Sequence, residues 1–348
     1  MEVKGSKMKK VLNMFLKGLS FLGIFILMAV ITLYSVLLLI CYGPSTKARN
    51  IFVTTFLETG ALKFVVNLVL PSEKIQEVVN SNSLKEMEDE VNSELIDISK
   101  ASDEIEIHEV SGSNFYATMM IIHDPARVTV ATTYPFTEYG KTLDQIVKEN
   151  DAIAGINGGI YQSTGNKGGY PMGVVVSNGK IVWNSPYGVG YHLVGFDENN
   201  ILKILSINGM STAQVEKLVE EEKIRDAVTF QEEASDANNH FVKLIVNGEK
   251  RESNGLGSGA NPRTAIGQRE DGAVLLLVTD GRGASGHLGA TANDLIKVME
   301  DYGAVNAANI DGGSSSTMYY KDEYLMTSVT LYYSNSSWRL PEAFIVSK

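Results

Sequence analysis

Between Lys17 and Lys47 the chain carries no charged side chain, and the middle of that stretch reads FLGIFILMAVITLYSVLLLICY. About 20 apolar residues cross a bilayer core, so the run predicts one membrane-spanning helix over 18–43. A second apolar stretch, IFVTTFLETGALKFVVNLVL over 51–70, is broken by Glu58, Gly60 and Lys63. Charges near the centre of a span cost roughly 2.5–3.5 kcal/mol each, which predicts an amphipathic segment lying near the membrane or against the folded domain. Residues 72–105 are polar and acidic, with apolar positions Ile75, Val78, Val79, Leu84, Met87, Val91 and Leu95 at helical spacing, the pattern of a solvated helical stalk. From Ile105 onward the texture becomes short runs rich in β-branched residues, separated by turn signals such as Asn178-Gly179 and Asn247-Gly248. Helical patterns interrupt them at 142–150, 211–228 and 291–303, the last with Thr291 and Asp294 as an N-cap pair and Gly303 as a stop. The prediction is an α+β domain of mixed β-sheets with a few helices over 106–348, preceded by a membrane helix.

Charge orients that helix. Residues 1–43 contain five Lys and one Glu. Excess Lys on the N-terminal side keeps residues 1–17 in the cytoplasm and sends 106–348 across the membrane, with 44–105 as the juxtamembrane link. A cleaved secretion signal has the same layout, but its apolar core is usually shorter and no A-x-A-like site follows here. Ile40 before Cys41 also departs from a lipoprotein site, which needs a small residue there. If 51–70 did span as well, the domain would return to the cytoplasm.

The whole chain has 30 Lys+Arg against 41 Asp+Glu, a net charge of −11, which argues against nucleic acid as a partner. One cysteine excludes disulfides within the chain and any Cys-rich metal site. Nothing in the sequence requires a cofactor.

Candidate chemistry is densest over 259–317, which reads strand, Gly-rich loop, helix, strand, and a second Gly/Ser loop. If the strands at 273–279 and 304–310 are parallel, Asp280 and Asp311 end them at one sheet edge and face one crevice. Gly281, Gly283 and Gly286 match a dinucleotide fingerprint, yet the helix signal begins only at Thr291, too late for its N-terminus to meet a pyrophosphate. Gly312, Gly313, Ser314, Ser315 and Ser316 invite a serine-hydrolase reading but lack the closing glycine of G-x-S-x-G; a turn that binds an anion is the plainer one. No H-E-x-x-H pair is present, so catalytic zinc is not expected, whereas Ca²⁺ or Mg²⁺ on Asp280, Asp311 and carbonyls stays open. Asn157-Gly158-Gly159 ends another strand, either as a simple turn or as a place where backbone approaches a ligand. Arg263 and Arg282, each embedded in a glycine-rich loop, suit a phosphate beside the two Asp, or form two ordinary ion pairs.

The set ING-G at 156–159, NPRTAIG at 261–267, TDGR at 279–282 and NIDGGSSSTM at 309–318 resembles the phosphodiester glycosidase family. The resemblance covers roughly 108–348 and leaves 1–105 outside the family domain. It implies hydrolysis of a sugar joined through its anomeric carbon to a phosphodiester, releasing free sugar and a phosphomonoester, with a cell-surface glycan or glycosyl-phosphodiester polymer as substrate. On that basis Asp311 is the expected catalytic carboxyl and Asp280 its partner. Arg263 and Arg282 are expected on the phosphate, helped by N–H groups of Gly312, Gly313, Ser314 and Ser315. Asn157, with Gly158 and Gly159, is expected at the sugar, and Thr264 and His287 are secondary members. The competing expectation is a non-catalytic surface module that binds glycan during exopolysaccharide or cell-wall polymer assembly.

Overall fold

The computed structural model describes residues 2–327 and 336–348. The first helix, α1 (Glu2–Tyr42), includes the apolar stretch Val11–Tyr42, long enough to cross a membrane. Phe21, Phe25 and Leu33 project from it into the surroundings rather than into protein. Its last turns behave differently. Leu37, Leu38 and Cys41 pack against Val53, Leu57, Val66, Ile75 and Val79 from α2 (Thr46–Leu57), α3 (Lys63–Asn67) and α4 (Ser72–Asn80). Ser45 caps α2 by accepting from Ala48 N–H, and the Tyr42 hydroxyl donates to the Val69 carbonyl at 3.0 Å. The stretch 51–70 is thus built into a small helical cluster against the folded domain, as its amphipathic pattern predicts.

The stalk expected over 72–105 is a helix only at Ser72–Asn80, where Ile75, Val78 and Val79 share a buried face. Beyond it the chain is irregular and laid along the domain. Leu84 bridges Ser253, and Lys85 and Asp97 donate backbone N–H groups to Glu252 and Glu270 carbonyls. Lys243 Nζ donates to the Met87 and Asp89 carbonyls, and Asn247 to that of Glu90. Those backbone groups satisfy domain partners that a free helix would leave to water, so tertiary contact overrides the helical spacing.

A seven-stranded sheet carries the site. Its order is Ile105–Ser111, Tyr116–Ile122, Val274–Thr279, Thr264–Arg269, Ala304–Ile310, Lys243–Val246, Glu249–Lys250. Every pairing in it is antiparallel. Strands 274–279 and 304–310 therefore run parallel to each other, but with 264–269 between them, opposite Val278 and Ile310 at Thr264. Two five-stranded antiparallel sheets, one around Ile224–Gln231 and one around Ala152–Asn157, close over the first. Their inner faces share one core, in which Met120, Ile156, Val194, Phe196, Ile266 and Phe344 are fully buried. On the outer faces lie α5 (Leu143–Glu149), α6 (Thr212–Glu221) and α7 (Ala292–Asp301). Thr291 and Asp294 form the expected capping box of α7, and Gly303 follows it at φ +80°. The helix expected over 211–228 stops at Glu221. Lys223 turns left-handed and the chain enters the strand Ile224–Gln231, whose residues fill the middle of its sheet. That segment is an integral element of its sheet.

Asp226, buried on this strand, ties two sheets together by accepting from Val130 and Asn178 N–H groups and from Arg225. Asp226→Ala leaves the buried Val130 N–H, the Asn178 N–H and one arm of the Arg225 guanidinium without this acceptor, a loss of about 3 kcal/mol. Thermal unfolding of the full chain is expected to drop by roughly 10 °C; a drop under about 2 °C would show that the tie carries no stability.

Candidate active site

The antiparallel alternation that separates the 274–279 and 304–310 strands also brings three chain segments to one edge. The start of 264–269 presents Arg263, and the ends of the other two present Asp280–Arg282 and Asp311. Here a cleft of about 490 Å³ opens, lined by Arg263, Arg282, Asp311 and Gly312–Ser315, with Tyr161, Phe230, His240 and Trp338 on its other walls. Glu58, Thr59, Gly60 and Lys63 of the juxtamembrane segment complete the lining.

Asp311 keeps an exposed edge in the cleft while its carboxyl is enclosed by protein. Burial pushes it up to about 7, against the pull of the Ser315 hydroxyl, the Gly312 N–H and the Arg282 charge. Glu342, from the strand Glu342–Ser347, is almost wholly buried nearby and is held well above the usual carboxylate range, by burial first and then by the Asp311 charge. Its Oε2 has no hydrogen-bond partner among the described residues. Tyr161 is pushed well above its ordinary value by burial and by both carboxyls, and its hydroxyl accepts from Ser315 at 3.1 Å.

The two arginines differ. Arg263 is 5% exposed and spent on protein: Nη2 pairs with Glu58 and donates to Ser258 Oγ and the Gly259 carbonyl, while Nε donates to the Ala290 carbonyl. Its guanidinium lies over the Phe241 ring, 4.9 Å from the centroid. Arg282 donates from Nη1 to Ser314 Oγ at 2.9 Å, and its buried Nε has no hydrogen-bond partner among the described residues. Gly313, at φ +64°, leaves room for this guanidinium; a Cβ there would sit 2.6 Å from Nη2. The two cations face the cleft together, so each opposes the other's charge unless an anion lies between them.

Other expected residues lie behind the lining. Asp280 accepts from Tyr116 N–H at 2.7 Å and pairs with His287 Nδ1 at 2.7 Å, so both its oxygens are engaged away from Asp311. Asn157 is a staple: its amide donates to the Asp311 carbonyl at 2.6 Å, and its Oδ1 accepts from Thr264 Oγ1 at 2.7 Å and Thr317 N–H at 3.3 Å. Gly158 and Gly159 permit close approach, but to the protein's own strands. A Cβ at 158 would meet Glu342 at 2.9 Å, and one at 159 the Thr229 carbonyl at 2.3 Å. Among the described residues no three His, Cys, Asp or Glu side chains converge as a metal site.

Several residues in or behind the lining carry no motif. Glu58 and Glu342 each interrupt an apolar run, the one signal sequence offers for them. His240, one of five scattered histidines, is depressed to about 3 by burial and by Lys63 and Arg263, so it is neutral at physiological pH.

Comparison with known proteins places this geometry. The catalytic domain of zebrafish N-acetylglucosamine-1-phosphodiester α-N-acetylglucosaminidase, solved auto-inhibited by its pro-peptide, has a similar fold. Identity to it is 19%, the TM-score is 0.51, and the match covers 72% of this chain and 85% of that one. The SPbeta prophage-derived uncharacterized protein YomE of Bacillus subtilis (strain 168) is 38% identical over 65 residues, which span 19% of this chain and only 10% of that protein. The family model "Phosphodiester glycosidase" matches residues 150–347, more than half of the chain. The chain belongs to the phosphodiester glycosidase family.

Proposed function

We propose that this protein is a membrane-anchored glycosidase acting outside the cytoplasm, cleaving the bond between a sugar's anomeric carbon and a phosphodiester. The substrate is of the N-acetylglucosamine-1-phosphodiester kind, carried on a cell-surface glycan or polymer. The observation that carries the reading is that Asp311 and Arg282 line one cleft, with the buried Arg282 Nε lacking a hydrogen-bond partner among the described residues.

Arg282 binds the phosphate; of the turn beside it, the Gly312 N–H serves the Asp311 carboxyl, and the Gly313 and Ser315 N–H groups donate to the Pro262 and Gly312 carbonyls. Tyr161, Phe230 and Trp338 offer flat apolar faces to the sugar ring. The C1–O bond breaks with its electron pair going to the phosphate oxygen, while a water hydroxyl joins C1 and its proton leaves through the carboxyl pair. A phosphate is a weak base, so the leaving oxygen does not need a strong acid. Asp311, ionised, supports the oxocarbenium-like centre, and Glu342 behind it is the carboxyl that burial and the Asp311 charge push toward its protonated form. Asn157 is a positioning residue that holds the Asp311 backbone, and Asp280 with His287 braces the Arg282 loop from outside the cleft. No bound metal is required for this scheme.

Packing supports the anchored reading. Cleavage after α1 would strip Leu37, Leu38 and Cys41 from the cluster around Val53 and Ile75, leaving apolar side chains in water. Retention as a single-pass anchor keeps that cluster whole, with residues 1–17 in the cytoplasm.

The full chain in nanodiscs is expected to release free sugar from water-soluble N-acetylglucosamine-1-phosphodiesters, and Asp311→Asn to lose at least about 10³-fold in kcat. Near-normal turnover in that variant would remove Asp311 from the chemistry; binding without any turnover by the wild type would leave a glycan-binding module. Arg282→Met is expected to lower kcat/KM by about 10²-fold, and an unchanged value would take Arg282 off the phosphate.

Because Asp311 must be ionised to act, kcat/KM is expected to rise with pH up to about 7 and then level. Stability runs the opposite way. A carboxyl near 3.9 when unfolded and about 7 when folded leaves stability intact below pH 4 and erodes it as pH rises to 7, by at most about 4 kcal/mol. Asp311→Asn should therefore unfold at a higher temperature than the wild type at pH 8 and at the same temperature at pH 4. Equal melting at both values would show that the folded carboxyl is not displaced.

A further inference from the structure

We infer that the rim of the cleft formed by residues 59–68 rests in the bilayer interface beside α1, and that the substrate is lipid-borne: a sugar phosphodiester whose aglycone stays in the membrane. The substrate half of this inference rests on the cleft being a sugar-phosphodiester site.

The rim joins the cleft to the membrane helix. Thr59, Gly60 and Lys63 line the cleft, and the chain continues directly into Phe64–Leu68. Val69 accepts a hydrogen bond from Tyr42, the last residue of α1, so the rim lies level with the end of the apolar helix. Val69 is six positions after Lys63, at most about 20 Å of chain. The cleft wall is that close to the point where α1 leaves the hydrocarbon. Tyrosine at such a point sits at the headgroup level.

Its outward surface is uncharged and mostly apolar, with Asn67 as an exposed polar side chain. Leu62, Phe64 and Leu68 are 40, 58 and 64% exposed. The only charged side chains between 58 and 70 are turned inward, Glu58 to Arg263 and Lys63 to Asn238. On the inner side Val66, Val69 and Leu70 belong to the cluster that grips Leu37, Leu38 and Cys41 of α1. Water is a poor neighbour for three large apolar side chains on one short ridge, and the interface next to α1 is the apolar environment already at hand.

Charge argues for the same source of substrate. With five Lys and one Glu in residues 1–43, the remainder of the −11 chain is more acidic than the whole, a poor lure for an anionic polymer arriving through solution. A lipid-borne phosphodiester diffuses in the plane and reaches the rim without long-range attraction. Glu58 and α2 fix the rim to both α1 and Arg263, so the cleft is held at one height above the membrane.

The test uses the full chain in phosphatidylcholine vesicles. Phe64→Trp, read as the difference from wild type with its native Trp183 and Trp338, is expected to be quenched by lipids brominated along their acyl chains; no quenching overturns the rim placement whatever the activity. In the same vesicles, N-acetylglucosamine-1-phosphate esterified to a dialkylglycerol is compared with the water-soluble methyl diester. The double variant Phe64→Ser/Leu68→Ser is expected to lose about tenfold or more on the lipid diester and nothing on the methyl diester. Equal rates for variant and wild type on both diesters would overturn the lipid-borne substrate. If the wild type hydrolyses neither diester while the fluorescence of the Phe64→Trp variant is quenched, the glycosidase reading and its lipid-borne substrate fall, and the rim placement stands.

Discussion

The buried ion pair between Glu58 and Arg263 joins the two parts of the molecule. Taking both charges out of water costs several kcal/mol per ion, and the pair persists because its surroundings are complete. Asn239, Gly259 and Asn261 donate to the Glu58 oxygens, while Ser258, Gly259 and Ala290 accept from Arg263. One partner belongs to the helix that follows the apolar α1, the other to the loop that opens a central strand. Geometry at the cleft is therefore inherited from the juxtamembrane segment, although the family match begins only at residue 150. Thr55 adds to the tie by accepting from Ala260 N–H and from the Asn261 amide.

What converges at the cleft is then decided by the sheet. An antiparallel strand between two strands of equal direction puts one beginning and two endings at the same edge, and this brings Arg263, Arg282 and Asp311 together from three loops. The arrangement also separates the two aspartates. Asp280 sits beside Tyr116–Ile122 and satisfies that neighbour's N–H, whereas Asp311 sits next to the second sheet, stapled by Asn157. Residues equivalent in sequence pattern, each the first after a buried strand, thus enter different environments. At Asp311, burial pushes the carboxyl up to about 7.

Local chemistry was the legible part. The apolar run, the capping box of Thr291 and Asp294, the left-handed stop at Gly303 and the alternation of strands are set by neighbours within a few residues, and the sequence displays them. Arg282, Asp311 and the Gly312–Ser315 turn were likewise visible, because short glycine-rich loops after strands have few other uses. Long-range partners were not. Glu342 meets Asp311 through a strand from the far end of the chain, and Glu58 meets Arg263 across 205 positions. Periodicity misled at Leu84, Met87 and Val91, where Lys243, Asn247 and Arg251 donate to the Asp89, Glu90 and Lys85 carbonyls and no helix forms, and at Leu95, which ends a single 3-10 turn. It misled again after Glu221, since Ile224, Ala227 and Val228 suit a central strand as well as a helix.

The cleft also shows where stability is given up. Two carboxyls share an enclosed space, an arginine donor lacks an acceptor, and a second arginine lies close enough to oppose the first. Each would be improved locally by an apolar or neutral residue, and none is. Protein groups relieve them only in part: the Ser315 hydroxyl and the Gly312 N–H reach the Asp311 carboxyl, the Asn157 amide goes to a carbonyl, and Ser314 Oγ accepts from Arg282 Nη1. An anionic group seated against Arg282 would relieve the cationic side, and a positive centre beside Asp311 the acidic side. A sugar phosphodiester at the moment of cleavage offers both, with negative charge on the phosphate and positive charge building at the anomeric carbon. The strain in the cleft is thus complementary to the charge separation of that bond breaking, more than to either reactant at rest.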